Sequence, residues 1–431
     1  MKSNIITILL VSILVCFRIF FGIQINFNHE DYEQIYLIGL EYAFNDTWSY
    51  WGPDVVWSET RLPGGMQGFL AGFPLQVYNH PYSPIFFSNL LSAIGLILLA
   101  LYGKKRFPSL NLNFLLALFL LLPFYLYHGT VLLNTAYLIF TGALLFIPVF
   151  ELFIYRDKLI FKQVGIYFAL MSFSLFITYQ IHLTWVVYIP FFIVLLFLEI
   201  KNKTPQLWTV PIYIILGALI SGSFLIPTII DYGSVIYLNN EDNLNFDPKS
   251  FLRIFELFGR YFSFATYDVI ITYNFYEVAT SKSYFSLISL WAIKIFSFFQ
   301  FALIWIGFYK MKKTIDFKRT LILFGLTLLT AIVLFSISNK HLESRTYLIL
   351  FPVPLWLSLY GYEYWFKTDW IKKLTYGITA LSFLAFLSVS VANYKGEFSF
   401  NSKKTEIEKA LKERNPEAFG ERRKSLMDEF N

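Results

Sequence analysis

Three short polar stretches carry the side chains best suited to chemistry in an otherwise apolar chain. The first, NHEDYE over 28–33, opens a segment holding Glu30, Asp31, Glu33, Glu41, Asp46, Asp54 and Glu59 against one basic residue, Arg61. A carboxylate at a membrane surface is partly desolvated, so its proton affinity can be tuned and it can act as a general base toward a hydroxyl or amine. The same acids also suit an outer loop that simply avoids positive charge. The second stretch, LQVYNHPYSP over 75–84, sets two prolines around a turn and presents His80 as a proton carrier, hydrogen-bond donor or metal ligand. A single histidine lacks the partners a metal needs, so an ordinary turn residue fits the pattern as well. The third, KHLESRTYLILFPVP over 340–354, places Lys340 and Arg345 just before an apolar run. A guanidinium suits bidentate phosphate binding, and it can equally snorkel to headgroups or pair with Glu343.

The elements that must position these residues are membrane helices. The chain has 431 residues, of which 56% are hydrophobic and 15% charged, where a soluble domain would carry roughly a quarter charged residues. A helix needs about 20 mainly apolar residues to cross the hydrocarbon core. Eleven segments approach that length: 5–23, 84–102, 112–127, 131–153, 164–181, 183–198, 207–230, 284–309, 321–337, 347–360 and 374–391. The first has no small-residue cleavage site after it and reads as an uncleaved helix. The sequence therefore predicts an all-α membrane protein, a polytopic bundle of about eleven transmembrane helices.

Basic residues orient the bundle, because Lys and Arg collect on the cytoplasmic side. With Lys2 inside and counted, the inner side holds seventeen of them, the others clustered at 104–106, 156–162, 201–203, 310–319 and 367–373, against seven on the outer connections. This register predicts a cytoplasmic N-terminus and two long outer loops, 24–83 and 232–283. It also divides the chain into a membrane domain over 1–394 and a charged outer tail over 395–431. In the first loop, Tyr32, Ile35, Tyr36 and Leu40 fall near helical spacing, which predicts an amphipathic juxtamembrane helix over 31–44. The tail mixes both charge signs around sparse Ile407, Leu411 and Leu426 and reads as a solvated or surface-lying helix.

Two basic charges fall inside predicted spans. Arg18 lies near the outer end of its helix, where snorkelling is the simplest reading. Lys294 is nearer mid-span, where a charge is expensive, and is a candidate to pair with a phosphate, an outer-loop acid or Asp231. The single cysteine, Cys16, excludes an intramolecular disulfide and any cysteine-based metal cluster. No basic run interleaved with aromatics points to nucleic acid. P-loop, dinucleotide, G-x-S-x-G and H-E-x-x-H patterns are absent from the sequence, which removes the usual support for ATP-driven transport and zincin proteolysis.

Taken in order, the three stretches resemble the GT-C glycosyltransferases, in particular relatives of protein O-mannosyltransferases and of the aminoarabinose and galacturonic acid lipid transferases. That family opens its first outer loop with an acidic pair followed by a tyrosine-containing juxtamembrane helix, matched here by Glu30, Asp31 and Tyr32. Its His-Pro-Pro-Leu-Tyr-like turn is similar to HPYSPIFFSNLL from His80, and its Arg-Tyr helix start to SRTYLILFPVPLWL, where Thr346 separates Arg345 from Tyr347. The chain departs from the family in reading Glu30 then Asp31 rather than Asp then Glu, and in replacing the doubled proline.

The resemblance implies a GT-C-like fold of the bacterial plasma membrane with its active site on the outer side. It implies an inverting transferase that takes a sugar from a polyprenyl-phosphate donor to a lipid, glycan or protein acceptor. Asp31 or Glu30 would be the base, while Arg345, helped by Lys340 or Lys294, would stabilise the phosphate leaving group, with His80 and Tyr347 binding substrate. A divalent metal near His80 is compatible with this reading and required by nothing in it. The competing readings are a lipid or polysaccharide transporter that uses Arg18 and Lys294 in a water-filled path, and a glycan polymerase or ligase.

Overall fold

The computed structural model describes residues 2–24, 29–44, 48–54, 61–202, 207–233, 284–311, 315–337, 348–393 and 400–419. The expectations for Lys340, Arg345 and Tyr347 fall outside these residues. The structure is almost entirely helical. Its helices are α1 (Lys2–Gln24), α2 (His29–Phe44), α3 (Met66–Val77), α4 (Ser83–Arg106), α5 (Leu112–Leu121), α6 (Pro123–His128), α7 (Leu138–Phe153), α8 (Phe161–Ile181) and α9 (Tyr188–Lys201), then α10 (Val210–Gly222), α11 (Ile226–Tyr232), α12 (Tyr284–Met311), α13 (Ile315–Ile337), α14 (Pro352–Trp365), α15 (Asp369–Asn393) and α16 (Phe400–Glu413).

Among the described residues, seven helical segments are long and apolar enough to cross a membrane. Two further helices, α12 and α15, run for 28 and 25 residues. Outward-facing Ile5, Ile8 and Ile13 on α1, Ile215 and Leu219 on α10 and Ile322 and Leu329 on α13 leave broad apolar faces uncovered. In water such faces would be a liability, and in hydrocarbon they are the natural surface. The chain is a multi-pass, all-α membrane protein.

The segment expected as a single span over 112–127 is broken. Leu122 takes an extended ψ of 123° ahead of Pro123, so α5 stops after 10 residues and α6 restarts with proline at its first position. The break releases last-turn carbonyls in the middle of the bundle, and α1 satisfies them. Arg18 donates to Leu120 O at 2.8 Å, Tyr125 O at 3.3 Å and Gly129 O at 3.3 Å, as well as to Ser92 Oγ at 3.0 Å. Arg18 is fully buried, which overturns the snorkelling expectation. The carbonyl ends of α5 and α6 carry partial negative charge and hold the guanidinium, which pairs with no carboxylate among the described residues. From α4, Ser92 Oγ donates to Gly129 O at 2.7 Å and Asn89 Nδ2 to Thr130 O at 2.7 Å, which completes the plug.

α4 connects the two ends of the bundle. Its 24 residues span about 36 Å at 1.5 Å per residue. At its C-terminal end sits a layer of ion pairs. Arg106 Nε donates to Glu151 Oε1 at 2.8 Å, Arg156 Nη2 to Glu199 Oε2 at 2.8 Å, and Arg319 Nη2 lies 2.8 Å from Asp157. At its N-terminal end lies the folded first loop.

Candidate functional site

The first loop builds a compact cap at that second end. α2 and α3 pack through small residues: a Cβ on Gly39 would sit 2.8 Å from the Cβ of Ala71, and one on Gly72 would sit 2.5 Å from Gly39 O. This close approach buries Tyr32, Ile35, Tyr36 and Leu40, and also Leu37 and Ile38 on the opposite side of α2. The expected helix is present, yet it is covered on both faces rather than lying on a surface by one.

A two-stranded antiparallel hairpin, β1 (Trp51–Asp54) and β2 (Arg61–Pro63), follows α2, where the sequence suggested helices only. Arg61 pairs with Asp54 at 2.9 Å, and the Asp54 N–H donates to Gln34 Oε1 at 3.2 Å, tying the hairpin to α2. Gly64 leaves β2 with φ +101°, and a Cβ there would meet the side chain of Gln180 at 2.3 Å. Only glycine fits both constraints.

The His80 turn then packs beside α2. Tyr36 Oη donates to Pro81 O at 3.1 Å, joining segments 45 positions apart. Ser83 Oγ donates to Tyr78 O at 2.6 Å and the Ser83 N–H to His80 O at 3.0 Å, closing the turn into the start of α4. The Tyr82 N–H donates to His80 Nδ1 at 3.2 Å, so Nδ1 is the bare nitrogen and Nε2 carries the proton of the neutral ring. The imidazole lies between Tyr78, with ring centroids 5.4 Å apart, and Tyr82, 5.1 Å away. The phenols of Tyr32 and Tyr36 both sit well above their ordinary proton affinity. Burial is the main cause, reinforced at Tyr32 by Tyr36, Glu33 and Tyr82. Both are neutral phenols here, with Tyr36 donating to Pro81 O, and neither is a phenolate base at neutral pH.

The tail completes the cap. α16 is helical as expected, but it is docked rather than solvated: Ile407, Ala410, Leu411 and the following Phe419 are buried. Phe419 meets Tyr36 with centroids 5.5 Å apart, and Asn79 Nδ2 donates to Leu411 O at 3.3 Å. Lys403 Nζ reaches Glu33 at 3.2 Å and Glu406 at 3.0 Å, while Lys404 Nζ lies 5.6 Å over the Tyr82 ring. The bond to Glu406, then those to Glu33, hold the Lys403 ammonium above its usual proton affinity. Half-exposed ion pairs contribute about 0.2–1 kcal/mol, whereas burying one Leu or Ile side chain contributes about 1.5–3 kcal/mol. The apolar pegs hold α16, and the lysines set its register.

Of the residues singled out in the sequence, the structure brings the first turn of α2, which contains Asp31, and the turn of His80 into one packed unit. Glu30 and Lys294 are placed by backbone alone, in α2 and α12. Sequence reasoning missed Lys403 and Lys404, whose i,i+3 and i,i+4 acids read as ordinary surface pairing. It also missed the fully buried Gln67 of α3, whose amide oxygen and nitrogen have no partner among the described residues. Among those residues no three His, Cys, Asp or Glu side chains converge as a metal site would require. No known family model, curated protein or solved structure matches this chain.

Proposed function

We propose that this protein is a GT-C-type glycosyltransferase that moves a sugar from a polyprenyl-phosphate donor to an envelope acceptor at the end of the bundle capped by α2, which is then its outer face. The observation that carries the reading is the packing of the acidic first turn of α2 against the His80 turn, held by the Tyr36–Pro81 hydrogen bond. These are two of the three stretches that carry the family resemblance.

The chemistry is a single displacement. The acceptor oxygen attacks the anomeric carbon, and its proton passes to the Asp31 carboxylate, with Glu30 as the neighbouring acid. The bond from the anomeric carbon to the phosphate oxygen breaks, and that oxygen keeps the electron pair. The leaving phosphate is dianionic and needs cations, for which Arg345 and Lys340 are proposed, with Lys294 as a further candidate. His80, with Nε2–H presented, is suited to donate a hydrogen bond to the sugar or the phosphate.

Asp31→Asn keeps the shape of the side chain and removes the base. Transfer of labelled sugar from a polyprenyl-phosphate donor in membranes should fall about 10²- to 10⁴-fold while donor binding persists. Unchanged turnover in Asp31→Asn, Glu30→Gln and the double variant would reject the assignment.

A further inference from the structure

A crevice of about 470 Å³ runs between Phe114, Ala117 and Leu121 of α5 and Tyr376, Ala380 and Phe383 of α15. That volume falls in the range of about 300–1,000 Å³ that holds small ligands. The 10 residues of α5 rise about 15 Å, half of a hydrocarbon core of about 30 Å. The crevice therefore belongs to one leaflet. Its far end is shut by Phe383 against Phe17 of α1, with ring centroids 5.1 Å apart. Such a length suits a single lipid chain and is too short for a partner's spanning helix.

The other end is polar. Lys104 Nζ is held over the turn before α5 by Pro108 O at 2.7 Å and Leu110 O at 2.8 Å. Asn111 and Asn113 line this end and turn their amide oxygens inward. Asn111 Oδ1 accepts from the N–H groups of Asn113 and Phe114, and Asn113 Oδ1 accepts from Thr7 Oγ1 at 2.9 Å. The two Nδ2 groups have no partner among the described residues. On α15, Lys372 lies on the same helical face as Tyr376, Ala380 and Phe383, one turn before the first of them. Trp370 beside it is 66% exposed, as a tryptophan at headgroup level is. Over the start of α15 and the turn before it, Lys367, Lys372 and Lys373 stand against one acid, Asp369, while Glu363 of α14 accepts from Ser109 Oγ at 3.0 Å.

We infer that the crevice holds one acyl chain of an anionic glycerophospholipid from the leaflet at the Arg106 end, with Lys104 and Lys372 at its phosphate and the asparagine amides at its ester carbonyls. The polar end lies across the bundle from the His80 turn, so this lipid is not the sugar donor proposed above. The inference stands whether or not that transfer occurs.

In the purified full chain, native mass spectrometry counts bound lipid during titration with phosphatidylglycerol or with phosphatidylcholine of the same chains. One phosphatidylglycerol should bind about fivefold tighter or more. Lys372→Glu should erase that preference, and Ala380→Trp should cut retention of both lipids several-fold. A phosphatidylglycerol with a mid-chain diazirine should crosslink the unmodified protein within 111–121 and 372–383, a readout that needs no variant to fold. Equal binding of the two lipids, undiminished retention in Ala380→Trp, or crosslinks confined to other helices would each overturn the site. Displacement of the crosslinker by polyprenyl phosphate more effectively than by unlabelled phosphatidylglycerol would overturn the phospholipid as its occupant.

Discussion

The two ends of α4 treat charge differently. At the Arg106 end, carboxylates are buried and matched to arginines: Glu151 with Arg106, and Glu199 with Arg156. At the His80 end, Arg61 and Asp54 form a similar fixed pair within the hairpin, whereas Glu33 remains partly exposed and pairs with a lysine on the tail helix α16. Arginine's planar, permanently charged fork is suited to a fixed pair, while lysine is a point charge that exchanges partners readily. The first end has its ionic groups committed to holding helices together.

The largest effect should come from breaking the committed end. Arg106→Met leaves the fully buried Glu151 carboxylate without its arginine and should destabilise the protein by about 3–5 kcal/mol, seen as a lowered unfolding midpoint in detergent. Replacing both residues, as in Arg106→Met with Glu151→Met, should recover most of that loss; no recovery would mean that the pair does more than brace helices. Next in size, Arg18→Met strands the Leu120 carbonyl, at a cost of about 1–3 kcal/mol, measured by the same unfolding. The smallest effect belongs to the exchangeable end. Glu406 on the same helix, and then Glu33 across the contact, raise the Lys403 proton affinity, so the contribution of the Glu33 pair is complete at neutral pH and fades only as pH climbs through that raised value. A spin-label pair at Val77→Cys and Lys409→Cys, with Cys16→Ser, should hold one distance from pH 7 to about 9 and broaden above about 10.5. Broadening already at neutral pH would mean that the pegs do not hold the helix.

Local patterns made much of this legible. Apolar length marked the long helices, Tyr32, Ile35, Tyr36 and Leu40 marked α2, and Pro81 and Pro84 marked the turn before α4. What escaped depends on contacts between distant segments. The burial of Arg18 is decided by a helix break at Leu122–Pro123, and a proline within an apolar run does not announce which cation will meet its carbonyls. Glu151 and Glu199 fell inside or beside spans, and their role appears only once the ends of α4, α7 and α9 are aligned with Arg106 and Arg156. The docking of α16 turns on Ala410 as much as on Ile407 and Leu411, and an alanine carries no visible amphipathic signal. The role of Asp31 as a base is a statement about chemistry rather than shape, and it stands on the resemblance and the test given for it.

The broken third helix also bears on how the chain is made. Arg18 takes its oxygens from residues 102, 107 and 111 positions downstream. Until those residues leave the ribosome, the first helix carries a cation that is costly to leave in lipid. α5, with 10 residues, is itself too short to settle as a span. Neither piece is at ease in the bilayer alone, and each supplies what the other lacks once both are in place.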